Sequence, residues 1–287
     1  MYNFFWCILL YFKVYDLVFF SVNVYRNIRE TIYPKTKKKY IWEMQDEDVD
    51  NSVYTYMHET ITSLKSKGED ERSNIELECR FGDQKEGYFN SSVSFTFFNT
   101  VMTMLDEYKS WDNIHDWREI MDYFYVVDTQ ELRSRIEILN GSPVIQTIQK
   151  KREDSRVFSV HIPYENENMF RHIFPPKNIR ITVNNEDEID DSDIPDIAEV
   201  SKTRIIHRKT YCLKHFKFEI SKVWFSTGEN CFSDCQNKKE LETPSYEIEI
   251  EMDILSEHFK NKSSNYSSIS FLYKILAILN NSAKIRE

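Results

Sequence analysis

The chain of 287 residues carries 37 Lys and Arg against 47 Asp and Glu, so its formal net charge is −10. This acidic balance excludes a basic nucleic-acid coat, which needs surplus cations to displace counterions from phosphate, but it leaves room for a local basic cleft. A hydrophobic fraction of 41% excludes global disorder, and a chain with only 5 Gly and no G-x-x-x-x-G-K-[ST] or G-x-G-x-x-G run has no Gly-rich phosphate loop.

The first 43 residues differ from the rest of the chain. Residues 1–25 are nearly all apolar or aromatic, and a basic stretch from Arg26 to Lys39 follows. A signal anchor with its basic flank in the cytoplasm is one interpretation, although Lys13 and Asp16 are costly inside a membrane. The alternative that we favour is a mis-called start upstream of Met44 or a loosely attached extension. We therefore expect an extension at 1–43 and one domain at 44–287, without membrane association.

Helical periodicity marks three later segments. The first contains Val53, Tyr56, Met57, Ile61 and Leu64 and ends before Gly68. Ser94 is placed to cap a second helix, in which Phe97, Phe98, Val101, Met102 and Leu105 are apolar. A third amphipathic helix is predicted near 268–280.

Strands dominate the middle of the chain. They are predicted at 75–81, 123–128, 131–139, 143–151, 156–162, 179–184, 202–212, 214–225 and 245–253. Two polar stretches, 184–196 and 226–244, are predicted to be loops, and the second contains Cys231 and Cys235. Five cysteines without zinc-finger spacing favour reduced thiols. Many successive strands with few helices favour an antiparallel barrel or sandwich.

The two acidic strands lie near the ends of this region. In IELECRFG (75–82), side chains alternate between faces, so Glu76, Glu78 and Arg80 share one face. In YEIEIEMD (246–253), the shared face carries glutamates at 247, 249 and 251. A half-exposed strand whose charged face lies in solvent would explain the pattern of either strand taken alone. Two such strands together favour a hard divalent cation, because Mg²⁺ and Mn²⁺ prefer carboxylate oxygens.

The strands between them are basic. One face of each carries, in chain order, Arg133 with Arg135, Lys150 with Arg152, Arg204 with Arg208, and Lys217 with Glu219 and Ser221. Solvated sheet edges are the simpler interpretation. The other is a closed barrel whose polar face points inward around a tunnel and whose apolar face is covered by helices. Such a tunnel can hold several phosphates and a metal, because Arg and Lys neutralise phosphate oxygens.

Acidic E-x-E strands at both ends, with basic strands between them, resemble the triphosphate tunnel metalloenzymes. The order of segments over roughly 75–253 looks most like the RNA 5′-triphosphatases of mRNA capping in fungi, protists and large DNA viruses. The resemblance implies an α+β fold, with an antiparallel β-barrel of about eight strands and flanking helices, and a divalent cation, Mn²⁺ or Mg²⁺. The amino-acid composition of the chain, which is poor in Gly and Ala, also suits an AT-rich genome.

The resemblance also implies roles for individual residues. Glu76, Glu78 and Glu251 match metal ligands. Glu249 and Glu247 match the partners of the metal ligands, which hold water or orient basic residues. Glu186 matches the residue that positions the nucleophilic water. These three glutamates are the expected catalytic set. The phosphate-binding residues implied are Arg133, Lys150, Arg180, Arg204, Arg208 and Lys217. One departure is Ile206, which stands where the family often has Lys; either the register slips by one residue or one cation is missing.

The function that the resemblance implies is metal-dependent removal of the γ-phosphate from nascent mRNA, by in-line attack of water. The expected partners are the 5′-triphosphate end of RNA, nucleoside triphosphates, and a guanylyltransferase and methyltransferase on another polypeptide, since no K-x-D-G motif is present. A cytoplasmic (virus factory or virion) or nuclear location follows. The alternatives are an inorganic or thiamine triphosphatase, a polyphosphate enzyme, a non-catalytic scaffold subunit, and a membrane-anchored protein.

Overall fold

The computed structural model describes residues 47–67, 74–127, 130–139, 142–160, 176–189, 200–253 and 261–284. The extension predicted at 1–43 lies outside these residues, as does most of the acidic stretch beyond Ile189. Within the described ranges, no helix is long and apolar enough to cross a membrane.

The described residues form nine strands and four helices. The strands are β1 (Ile75–Lys85), β2 (Tyr88–Asn90), β3 (Asn113–Val127), β4 (Gln130–Leu139), β5 (Ser142–Ser159), β6 (Asn178–Glu188), β7 (Val200–Leu213), β8 (Phe216–Thr227) and β9 (Ser245–Met252). The helices are α1 (Glu47–Ser66), α2 (Phe95–Glu107), α3 (Cys231–Leu241) and α4 (Ser264–Lys284).

Eight of the strands close into a barrel. Their order is β1-β6-β5-β4-β3-β7-β8-β9, every pairing is antiparallel, and β9 pairs again with β1. The closing pairs include Glu78 with Glu251 and Arg80 with Glu249. Short β2 adds only to the end of β1. The α+β barrel expected from the sequence is therefore confirmed.

The hydrophobic core lies outside the barrel, between its wall and the helices. Leu77, Cys79 and Phe81 alternate with the charged residues of β1 and are fully buried. They belong to one cluster with apolar residues of α1, α2 and α4, among them Met57 and Phe271. The polar face of the same strand therefore points into the barrel, because successive side chains of a strand point to opposite sides.

Helix α2 shows how the sequence fixes one of these covering elements. The Ser94 side chain accepts a hydrogen bond from the backbone N–H of Phe97 at 3.2 Å, which satisfies one of the free donors of the first turn. Phe97, Phe98 and Val101 then bury one face of the helix completely. This predicted cap and helix are confirmed.

Several predicted boundaries were wrong. The segments 143–151 and 156–162 are not separate strands, because a β-bulge between Arg152 and Asp154 lets β5 run unbroken from Ser142 to Ser159. The bulge also turns Asp154 outward, where the Tyr56 hydroxyl donates to it at 3.0 Å. Strand β3 begins at Asn113, ten residues before the predicted 123, because its pairing with β7 continues that far. This pairing contains a register shift between His115 and Arg118.

The two predicted loops were also wrong in part. Residues 184–188 continue β6, where Asn184, Glu186 and Glu188 pair with β5. Residues 231–241 form α3 within the stretch 226–244. This helix has few apolar residues, and it attaches to the barrel through two buried cysteines, Cys231 and Cys235. A helix held by two small side chains carries almost no periodic signal in the sequence.

Candidate active site: carboxylates and cations inside the barrel

The barrel brings the predicted site residues to one interior surface. Following the strand pairing, the inward positions include Glu76 and Glu78 on β1, Arg133 on β4, Lys150 on β5, Arg180 and Glu186 on β6, Arg204 and Arg208 on β7, Lys217 on β8, and Glu247, Glu249 and Glu251 on β9. All of them come from strands because a barrel wall presents every second residue to its interior.

Three carboxylates converge at the β1–β9 seam. Glu76, Glu78 and Glu249 each place one carboxylate oxygen within 4.8 Å of the other two. The side chains of Glu78 and Glu249 are almost inaccessible to solvent, with relative exposures of 3% and 6%. Glu251 lies opposite Glu78 across the seam and hydrogen-bonds to Glu76. The geometry thus offers Glu249 as a third ligand beside the E-x-E pair, with the predicted ligand Glu251 next to this group.

Two cations balance this cluster. Lys150 Nζ lies 2.5 Å from Glu76 Oε2, 3.3 Å from Glu78 Oε2 and 2.9 Å from Glu186 Oε1. Arg80 contacts Glu78 at 3.3 Å and Glu249 at 3.1 Å. Lys150 therefore links the carboxylate cluster to the glutamate on β6, across a span of three strands.

The carboxylates of the cluster do not share one protonation state. Burial would raise the pKa of Glu78, but Arg80 and Lys150 outweigh it and hold this pKa well below its ordinary value. Burial is also the largest single effect at Glu76, but the charge of Lys150 and the hydrogen bonds with Lys150 and Glu251 together outweigh it and lower the pKa. At Glu249, burial and the neighbouring Glu78 raise the pKa to about 8. Burial raises the pKa of Glu251 as well, with Glu219 and Glu76 adding to it.

These residues fit a hard divalent cation. The donor set consists only of carboxylate oxygens, which Mg²⁺ and Mn²⁺ prefer over nitrogen or sulfur ligands. Glu76, Glu78 and Glu249 bring carboxylate oxygens within 4.8 Å of one another, and a divalent cation between them would offset their mutual repulsion. Glu76, Glu78 and Glu249 are the residues that would hold the ion, and the predicted ligand Glu251 lies beside them.

Two arginines of the interior, on β4 and β6, each have a buried nitrogen without a hydrogen-bond partner among the described residues. Arg133 reaches Glu186 at 3.5 Å through one terminal nitrogen, but its Nε has no hydrogen-bond partner among the described residues. The Nε of Arg180 is likewise buried without a partner in the described part of the chain. Burial lowers the pKa of Arg180, and the nearby Arg80 and Arg152 lower it further. Such donors favour an anionic ligand, because an unsatisfied buried donor is costly.

Other predicted cations are already paired. Arg204 contacts Glu247 at 3.2 Å, and Lys217 contacts Glu251 at 3.1 Å. Arg208 forms an ion pair with Glu219, and its Nε donates to the Ser221 hydroxyl at 3.0 Å. Their predicted role in phosphate binding therefore requires a ligand that competes with these carboxylates.

The register of β7 is continuous at Ile206. Pairing with β8 proceeds without a shift from Lys202 to Leu213, so Ile206 faces inward between Arg204 and Arg208. Its side chain packs with Ile120 and Val223, its neighbours on β3 and β8, and all three are buried. This wall therefore carries an apolar row between its two arginines.

Sequence reasoning missed several members of the interior. Arg80 was noted on the face of β1, but its contact with Glu249 depends on the β1–β9 register. Asp122 was missed because β3 was predicted to begin after it; this fully buried carboxylate accepts a hydrogen bond from Arg135 Nε at 2.8 Å. Alternation of polar residues before residue 123 was the signal that could have revealed it.

Comparisons with known proteins agree with this architecture. No protein-family model and no curated protein sequence matches the chain. The S. pombe Pct1 RNA triphosphatase matches with a TM-score of 0.54 at 13% identity, over 83% of this chain and 92% of that chain. Pct1 in complex with the Spt5 CTD gives 0.53 at 13% identity, over 83% and 93%.

A viral structure gives a similar result. The RNA triphosphatase domain of a trifunctional mimivirus mRNA capping enzyme matches with a TM-score of 0.50 at 14% identity, over 80% of this chain and 95% of that chain. Identities this low show the fold alone. Together with the closed barrel and its interior carboxylates, they show that this chain has the triphosphate tunnel fold, the fold of phosphoanhydride-hydrolysing tunnel enzymes.

Proposed function

We propose that the chain is a metal-dependent RNA 5′-triphosphatase that removes the γ-phosphate of nascent mRNA. The observation that carries the proposal is the pairing of a buried carboxylate cluster with buried guanidinium donors that have no partner among the described residues, inside one closed barrel. The first suits a divalent cation and the second suits phosphate oxygens, and a metal–triphosphate complex presents both.

The chain's own residues would bind and orient the substrate. Arg133 and Arg180 each have an Nε that is unpaired within the described ranges and can donate to phosphate oxygens, and Lys150 lies between the carboxylates and Glu186. In the phosphoryl-transfer transition state, negative charge spreads over the oxygens of the transferred group, so fixed cations stabilise it. Arg204, Arg208 and Lys217 complete the proposed phosphate-binding set.

Proton handling would fall to the glutamates. Glu186 accepts from Arg133 and Lys150, and so its carboxylate is held in a fixed orientation from which it can position the attacking water. Glu249, with its raised pKa, and Glu247, held by Arg204, are the remaining proposed catalytic residues. A bound divalent cation would polarise the γ-phosphate and offset its charge.

A capping role would also require enzymes that this chain does not resemble. We infer that a guanylyltransferase and a methyltransferase act after it, in the cytoplasm or the nucleus. The proposed domain is 44–287, with 1–43 as an extension.

The test is phosphate release from γ-labelled triphosphate-ended RNA by the full chain, with Mn²⁺, Mg²⁺ or EDTA. We expect metal-dependent release that falls by at least about 100-fold in Glu78→Gln, as loss of an electrostatic catalytic group requires. The matched control is Glu59→Gln, which removes an exposed carboxylate from α1.

The remaining outcomes separate the alternatives. Turnover of inorganic tripolyphosphate without release from RNA would place the chain among the enzymes of small triphosphates. No release from either substrate would contradict the proposed activity and favour a scaffold subunit. Full activity in Glu78→Gln would contradict the assignment of the site.

A further inference from the structure

A short segment crosses the interior face of the barrel at one mouth. After β1, the chain turns at Gly87 and returns as β2, which pairs with the last residues of β1. Three consecutive residues of this return, Phe89, Asn90 and Ser91, are called the strap here. They are half-buried, whereas the preceding Tyr88 is 56% exposed.

Each residue of the strap lies against a different strand of the wall. The Phe89 ring packs over the Arg180 guanidinium of β6, with 4.8 Å from Cζ to the ring centroid. The Asn90 backbone lies over Gly82 of β1. The Ser91 hydroxyl donates to Glu247 Oε1 of β9 at 3.2 Å. The strap therefore spans β6, β1 and β9, the wall that carries the carboxylate cluster.

Gly82 permits this close approach. A Cβ built at this position would lie 2.0 Å from the Asn90 carbonyl oxygen and 2.9 Å from Phe89 Cζ. Gly82 follows Arg80 by two residues, so that missing side chain would point to the interior. The strap is thus packed directly on the backbone of β1. It is fixed beyond its end as well, where the N–H of buried Val93 donates to the Tyr246 carbonyl at 2.8 Å.

The contact with Phe89 bears on the orientation of the Arg180 guanidinium. Among the described residues, its Nε is without a hydrogen bond. Its charged neighbours are Arg80 and Arg152, which repel it, and Glu78 and Glu249, which attract it. An aromatic ring stacked on such a guanidinium stabilises it, because the face of the ring attracts the cation and restricts the orientation of the guanidinium plane. The hydrogen bond from Ser91 similarly restricts the orientation of the Glu247 carboxylate, which also contacts Arg204.

We propose that the strap is a positioning element, in which Phe89 holds Arg180 in the orientation that binds the substrate's phosphate chain. The inference rests on the proposed function, because it assigns the ligand of Arg180. It adds Phe89 as a residue that acts through Arg180 and does not itself touch the reacting atoms. Loss of the ring should weaken ground-state binding more than the chemical step.

The test compares Phe89→Leu with Phe89→Tyr and with Tyr88→Leu in the full chain. Two quantities are measured: KM and kcat with triphosphate-ended RNA, and the Kd of a nucleoside triphosphate with a β–γ imido bridge, by calorimetry with Mg²⁺. We expect Phe89→Leu to raise KM and Kd roughly 3- to 10-fold, in the range of a partly buried cation–π contact. Its kcat should stay within about twofold, and Phe89→Tyr and Tyr88→Leu should resemble the wild type.

A double-mutant cycle distinguishes positioning from a general structural effect. In an Arg180→Met background, Phe89→Leu should cause no further rise in Kd, because the ring acts only through the guanidinium. Equal effects in both backgrounds, or an unchanged Kd in Phe89→Leu, would overturn the inference while leaving an active wild type in place. A wild type that neither hydrolyses nor binds triphosphates would remove the proposed function, and the inference with it.

Discussion

The ion pair of Arg208 with Glu219 offers a quantitative test of how the barrel interior is stabilised. Both side chains are buried, with relative exposures of 9% and 5%. Ser221 accepts from Arg208 Nε, and Thr210 donates to Glu219 Oε1 at 3.4 Å. The perturbation is Glu219→Leu, which leaves the guanidinium buried without its carboxylate.

The magnitude follows from the burial of the pair. Removing one partner of a buried ion pair costs about 3–5 kcal/mol. We expect about 3 kcal/mol, the lower end of this range, because the Ser221 hydroxyl still accepts from Arg208 Nε. The double variant Arg208→Met/Glu219→Leu should regain most of this loss, to within about 1 kcal/mol of the wild type, since well-packed apolar residues replace buried pairs at little cost. Ile206, two residues from Arg208 on the same face, provides an apolar neighbour.

The assay is urea unfolding of the full chain followed by far-ultraviolet circular dichroism, with Glu59→Gln as the surface control. The free energy of unfolding is compared for the wild type, both single variants and the double variant. A loss below about 1 kcal/mol in Glu219→Leu would refute the reasoning, because surface substitutions alone produce about 0.5 kcal/mol. A double variant no more stable than the single one would refute it as well.

Three further predictions concern the carboxylate wall. Burial and Glu78 raise the pKa of Glu249 from 4.5 to about 8. The stabilising contribution of this group is therefore present below pH 4.5 and is lost as the pH rises through 8. Glu249→Gln should flatten the thermal stability profile across this window in EDTA. Mn²⁺ should raise the Tm of the wild type over that in EDTA, but not the Tm of Glu78→Gln, because the ion binds the folded cluster. Gly82→Ala should raise KM at least as much as Phe89→Leu, since its Cβ would lie 2.0 Å from the Asn90 carbonyl oxygen and displace the strap.

The interior wall was predictable because charge alternates with apolar residues along each strand. This period-2 pattern placed Glu76, Glu78 and Lys150 on interior faces without knowledge of strand order. Closure of the barrel was one of two interpretations of these faces, the resemblance favoured it, and the strand pairing confirms it. Which side chains contact one another was not predictable, because Lys150 reaches Glu78 from a strand 72 positions away.

Helix α3, the bulge in β5 and the strap were not predicted, and each depends on local structure that the sequence pattern does not reveal. Helix α3 buries only small thiols on its barrel side, so it lacks the wide apolar stripe that identifies a helix. The bulge at Arg152 and Asp154 resembles a break between strands, because it interrupts the alternation. The strap depends on an interior glycine, Gly82, whose importance becomes visible only when the backbone of Asn90 lies against it.

The seam between β1 and β9 has a consequence for how the site is assembled during folding. The contact of Arg80 with Glu249 joins residues 169 positions apart, and β9 is the last strand of the barrel along the chain. Pairings of such high sequence separation carry a large loop-closure entropy and form slowly. A nascent or partly folded chain therefore has the E-x-E half of the cluster without its counterpart. Cation binding would appear only with the final closure, which makes it a specific reporter of the native barrel.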